Sequence, residues 1–115
     1  MNSLDRAREV FSIEIEALEA VSRNLDESFS NAVQLLARTL QDRSKIIVVG
    51  IGKSGNIGRK ITATLTSTGS TAVLLNSVDA LHGDLGIIND GDTVIVLSMS
   101  GETEELVQLL SLIHI

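Results

Sequence analysis

Two stretches of this chain combine residue types that could hold and transform an anionic molecule. The first is Gly50-Ile51-Gly52-Lys53-Ser54-Gly55-Asn56-Ile57-Gly58, where a cation and a hydroxyl sit among glycines. Glycine lets a backbone turn sharply and approach a ligand with no Cβ in the way. A helix starting just after such a turn offers amide N–H groups and a positive dipole end, a site for phosphate or another anion. The second is Ser98-Met99-Ser100-Gly101-Glu102-Thr103-Glu104-Glu105. Its three hydroxyls, Ser98, Ser100 and Thr103, are neutral donors that can hold a phosphate at any accessible pH. Ordinary helix capping explains one such hydroxyl comfortably but hardly three. Glu105 stands apart, because carboxylates beside an anion repel it unless one turns away or serves a reaction.

Between them lies His82-Gly83-Asp84-Leu85-Gly86. A lone histidine is more often a hydrogen-bonded loop anchor than a ligand, and no second histidine or cysteine stands at metal spacing. Two better-known phosphate motifs nearly fit the glycine turn. The Walker pattern needs four residues between its first glycine and the Gly-Lys pair, and here one separates Gly50 from Gly52. The dinucleotide pattern is matched by Gly50, Gly52 and Gly55. No acid follows at the end of the next strand, where a ribose hydroxyl would be held, until Asp79.

The elements that must position these turns follow from periodicity. Lys45–Val49, Thr71–Leu75 and Thr93–Leu97 are short β-branched or aliphatic runs of the buried parallel type. Helical patterns alternate with them: Ile57–Ser67, with Ile61 and Leu65 inward and Gly69 as a C-cap, and a helix from Glu102 onward. Asn76 to Asn89 reads as loop and Asp90-Gly91-Asp92 as a turn. Such alternation specifies an α/β domain with a parallel sheet, whose ligands bind beyond the strands' carboxyl ends. Both chemical turns fall at that end and could share one ligand.

Two helices lead in. Leu4–Arg23 carries a stripe of Val10, Ile13, Ala17, Leu18 and Val21, expected to be buried. Asp26 or Ser28 can cap a second helix over Phe29–Gln41, with Val33, Leu36, Ala37 and Leu40 inward. Their stripes either cover the sheet or meet a second subunit.

Composition sets outer limits. The chain has 115 residues, room for one small domain, with 43% hydrophobic but only 2% aromatic residues, so aliphatic side chains must fill the core. A formal net charge of −6 with no basic cluster beyond Arg59-Lys60 disfavours nucleic acid as a partner. No apolar stretch approaches a membrane span, and the N-terminus lacks an export signal. The absence of cysteine fits a reducing cytoplasm.

Taken together, Gly52-Lys53-Ser54-Gly55-x-Ile57-Gly58, Ser67-Thr68-Gly69, His82-Gly83-Asp84-Leu85-Gly86 and Ser98-x-Ser100-Gly101-Glu102-Thr103-x-Glu105 resemble a sugar isomerase (SIS) domain of the KpsF/GutQ type, the D-arabinose 5-phosphate isomerases. The resemblance covers about Lys45 to Leu109. It implies a flavodoxin-like, doubly wound fold and interconversion of D-ribulose 5-phosphate and D-arabinose 5-phosphate, a precursor step of Kdo and lipopolysaccharide synthesis. It implies catalytic roles for Lys53 and Glu105, and a sugar-phosphate pocket lined by Ser54, Gly69, Ser70, His82, Ser98, Ser100 and Thr103. It also implies a homotetramer when full length. A zinc-linked histidine usual after the second strand is replaced here by Asn76-Ser77, so neither metal nor cofactor is expected, and Met99 replaces a polar residue.

Two other functions compete: a non-catalytic sugar-phosphate sensor, and an isomerase of another phosphosugar. The acidic N-terminus, unlike a basic helix-turn-helix, argues against the first, and His82-Gly83-Asp84-Leu85-Gly86 against the second. The family's domain continues through further strands and often two CBS modules, so the chain is expected to be a fragment, inactive alone. Residues 1–44 are expected to be its helical lead-in and 45–109 the partial domain. Leu110-Ser111-Leu112-Ile113-His114-Ile115 is what a common transposon-based sequencing adaptor encodes, and 110–115 are expected to be a non-native tail.

Overall fold

The computed structural model describes residues 2–76, 84–98, 104 and 107. Its elements in chain order are α1 (Ser3–Asn24), α2 (Glu27–Gln41), β1 (Ile46–Gly50), α3 (Ser54–Ser67), β2 (Ala72–Asn76), a short 3-10 turn (Asp84–Ile87) and β3 (Thr93–Leu97). The chain divides into two compact units, residues 1–33 and 34–115.

In the first unit, α1 begins where the Asn2 side chain accepts a hydrogen bond from the Asp5 amide at 2.8 Å. Asp26 caps α2, accepting from the Ser28 amide at 2.9 Å and the Ser28 hydroxyl at 2.5 Å. Those two bonds hold the Asp26 carboxyl below its ordinary range. The buried stripe expected on α1 is not buried within this chain. Val10, Ile13, Leu18 and Val21 are all exposed, because no other part of this unit covers them.

The second unit is built on β1. Ile46, Ile47, Val48 and Val49 are 0–1% exposed, and complete burial of such a side chain stabilises by about 1.5–3 kcal/mol. β1 is central in a parallel sheet of order β2-β1-β3 among the described residues. Ile46 pairs with Ala72 and Thr93, and Gly50 with Asn76 and Leu97. Alternation then sorts the side chains. Ile47, Val49, Ile51 and Leu75 form one apolar cluster, joined by Ile88, Val94 and Val96. The opposite face meets α3. There a Cβ on Gly58 would lie 3.3 Å from Val48 Cγ1 and 3.4 Å from Leu74 Cδ1, so glycine lets the helix axis come close. Ile61 and Leu65 are half-buried, as their spacing predicts.

α2 contributes Thr39 to this unit. Its hydroxyl meets the Thr93 hydroxyl at 2.5 Å and donates to the Leu35 carbonyl, and the residue is only 4% exposed. This polar contact replaces part of the expected apolar face: Val33 and Ala37 are exposed, while Leu36 and Leu40 are half-buried. At the sheet's amino end Asp92, its side chain 3% exposed, ties β1 to β3. It accepts from Lys45 Nζ at 2.6 Å, the Lys45 amide at 3.0 Å and the Asn89 amide at 2.8 Å. Burial pushes its carboxyl up, but those hydrogen bonds and the Lys45 charge outweigh burial and hold it below the ordinary range.

Candidate functional site

The glycine turn is shaped by packing before it is shaped for a ligand. A Cβ on Gly50 would sit 2.5 Å from the Gly55 nitrogen and 2.6 Å from the Ser54 carbonyl oxygen, so the start of α3 lies directly against the end of β1. Gly52 has φ +60, a conformation glycine adopts at little cost. Lys53 follows with helical angles at the N-cap position and makes no side-chain capping bond.

The helix begins three residues earlier than expected, at Ser54 rather than Ile57. This corrects the picture of free first-turn amides. The amides of Ser54, Gly55 and Asn56 donate to the carbonyls of Ile51, Gly52 and Lys53 at 3.1–3.2 Å. Each bond spans three residues, the tight pattern that often opens a helix. What the turn presents outward is therefore mainly side chain and dipole. Lys53 is exposed and makes no ion pair with any described residue, and Ser54 is half-buried behind it.

β3 ends beside the first turn. The Ile51 amide donates to the Leu97 carbonyl at 3.0 Å, extending the ladder one residue past β1. Ser98, half-buried, comes next. In the order β2-β1-β3 the chain leaves β1 toward β2 and returns on the other side, so the switch point lies between β1 and β3. Lys53, Ser54 and Ser98 are thus gathered at the carboxyl end of that pair, where a parallel sheet opens a crevice. Of the other proposed site residues, His82, Ser100, Thr103 and Glu105 lie outside the described residues. Glu104 and Val107 are helical, in the stretch expected to be a helix from Glu102.

Gly69 and Ser70 are placed elsewhere. They join α3 to β2 at the amino end of the sheet, with α3's 14 residues, about 21 Å of helix, between them and Lys53. Both serve a Schellman cap: the Gly69 amide donates to the Thr66 carbonyl and the Ser70 amide to the Leu65 carbonyl, with Gly69 at φ +92. Glycine after a helical run was the readable signal for this cap. The Lys45–Asp92 clamp had no comparable local signal, since its partners are 47 positions apart.

Comparison with known proteins places this arrangement among relatives. A model of the SIS domain family matches residues 39–114. The chain is 40% identical over 110 residues to arabinose 5-phosphate isomerase KdsD of Francisella tularensis, covering 96% of this chain and 34% of that protein. It is 39% identical over 103 residues to arabinose 5-phosphate isomerase GutQ of Escherichia coli K12, covering 90% and 31%. The chain thus spans about a third of the length of the curated relatives it matches. Among solved structures, a candidate phosphosugar isomerase involved in capsule formation from Bacteroides fragilis superposes with TM-score 0.87 at 32% identity, over 96% of this chain and 57% of that one. An E. coli CFT073 protein in complex with arabinose 5-phosphate superposes with TM-score 0.79 at 35% identity, over 96% and 59%.

Proposed function

Because the chain belongs to the SIS domain family, we propose that it is part of an aldose–ketose isomerase that interconverts D-ribulose 5-phosphate and D-arabinose 5-phosphate. The observation that supports this reading is the Ile51–Leu97 hydrogen bond, beyond which Lys53 and Ser98 follow the ends of adjacent strands β1 and β3. The named relatives and the neighbour holding arabinose 5-phosphate support the choice of substrate.

The reaction moves one proton from C2 to C1 and one from the C2 oxygen to the C1 oxygen, with no net change of oxidation state. A base removes the proton on C2 of the aldose, the electron pair forms the C1–C2 double bond, and the C1 carbonyl becomes the oxyanion of an enediolate. Transfer of the C2 hydroxyl proton to the C1 oxygen and return of the base's proton to C1 give the ketose. A carboxylate suits the proton transfer, and a fixed cation or donor suits the developing oxyanion. In this reading Glu105 and Lys53 supply those two groups without a metal or cofactor. Ser54, His82, Ser98, Ser100 and Thr103 hold the sugar phosphate. The product feeds Kdo and lipopolysaccharide synthesis, in the cytoplasm, and the full-length protein is a homo-oligomer, expected to be a tetramer.

The test is an isomerase assay on the complete open reading frame, comparing Lys53→Ala and Glu105→Gln with the parent. Loss of a general acid–base or oxyanion group costs about 100- to 10,000-fold in rate. Full rates in both variants overturn the assignment. Binding of arabinose 5-phosphate with no turnover by the parent assigns a sensor instead.

A further inference from the structure

Helix α3 distributes charge unlike the other two helices. α1 and α2 carry an acid in the first turn and an arginine in the last, Asp5 with Arg23 and Glu27 with Arg38, as the helix dipole favours. α3 has no acid in its first turn and no base in its last. Its cations are Lys53 at the N-cap and Arg59 and Lys60 in its first half, and no Asp or Glu occurs from Gly50 to Asn76. All three are exposed, and none is in an ion pair among the described residues. In a chain of net charge −6, that stretch is a local surplus of positive charge.

Placement gives the surplus a direction. Lys60 follows Lys53 by seven residues, close to two helical turns, so both lie on the outer side of α3, about 10 Å apart along its axis. Arg59 stands one position before Lys60, also exposed. Side chains of a helix lean toward its N-terminus, so both charges lean back toward the end of β1, where Lys53 and Ser54 stand. Packing does not account for them, because α3 turns Gly58, Ile61 and Leu65 inward.

We propose that Arg59 and Lys60 steer a phosphorylated sugar to the crevice at Lys53, acting on its phosphate through space and not by contact. The inference rests on the phosphosugar reading above and adds two residues outside the site described there. Two unit charges about 10 Å apart in water change affinity about twofold, so a phosphate dianion gains about fourfold from each cation before screening. Salt at about 1 M, where the screening length is about 3 Å, removes nearly all of that gain.

Calorimetric titration of the full-length protein with arabinose 5-phosphate at about 0.01 M and about 1 M salt tests it, with isomerase turnover followed in parallel. The double variant Arg59→Gln with Lys60→Gln should bind about five- to tenfold more weakly than the parent at low salt, and within about twofold of it at high salt. Its KM should rise while kcat stays within about twofold. The charge-preserving pair Arg59→Lys with Lys60→Arg should match the parent. Equal binding at low salt, a deficit that persists at high salt, or a charge-preserving pair as weak as the glutamine pair overturns the proposal. A parent that binds without turnover, and loses binding in the double variant only at low salt, overturns the isomerase reading and leaves the steering intact. A parent that binds no arabinose 5-phosphate overturns both.

Discussion

Ile51 and Leu97 are joined by a backbone hydrogen bond of 3.0 Å just where β1 and β3 end. That bond is the last rung of the ladder. Beyond it β1 continues into Gly52-Lys53-Ser54 and β3 into Ser98, so these segments start from neighbouring strands about 4.8 Å apart.

Lys53 should be separable from stability. It is exposed and unpaired among the described residues, so Lys53→Ala should shift unfolding free energy by no more than about 0.5 kcal/mol. Urea unfolding should thus be nearly unchanged in the variant whose isomerase rate collapses. A large loss of stability would make the lysine structural.

The two buried glycine contacts should differ. Gly50→Ala drives a methyl group against backbone atoms of Ser54 and Gly55, which cannot yield without moving α3, and should cost about 3 kcal/mol. Gly58→Ala meets only the side-chain tips of Val48, Leu74 and Leu97. Its crowding is offset by the roughly 1 kcal/mol that alanine gains over glycine within a helix. Stability within about 1 kcal/mol of the parent is expected, and thermal unfolding of both variants checks the contrast.

Asp92 should govern stability in acid. Its folded-state pKa lies below the unfolded value, so its contribution is present above the ordinary carboxylate range, near pH 4. That contribution falls away as pH drops through the depressed native value. Asp92→Asn should be about 2–3 kcal/mol less stable at pH 7 and should approach the parent once pH has fallen below the depressed native value. Urea midpoints measured across that acid range test this. Parallel curves for the two proteins would remove the clamp from the account.

The two helix ends offer a matched pair. α2 closes as α3 does, with the Arg43 amide donating to the Leu40 carbonyl and the Ser44 amide to the Thr39 carbonyl. The residue at the left-handed position is Arg43, at φ +61, where glycine stands in α3. A side chain there costs about 1 kcal/mol. Arg43→Gly should stabilise by about that amount and Gly69→Ala should destabilise similarly, both read as shifts in thermal midpoint.

What the amino-acid order determined by itself was whatever depends on near neighbours. β-branched runs marked three strands to within a residue, helical periodicity marked α1 and α2, and Gly69 marked a helix end. Alternation of these elements, together with the Lys53 and Ser98 turns, pointed to a parallel sheet binding at its carboxyl edge. Only the tertiary structure decided the rest. It made Gly50 and Gly58 packing residues, started α3 at Ser54 and so engaged three amides that looked free. It also joined Lys45 to Asp92 and set Gly69 and Ser70 at the far end of the sheet from Lys53. Each of these depends on which strands are adjacent and in what register. A strand pair forms through backbone groups that every residue shares, so its choice of partner is not written in any local stretch of side chains.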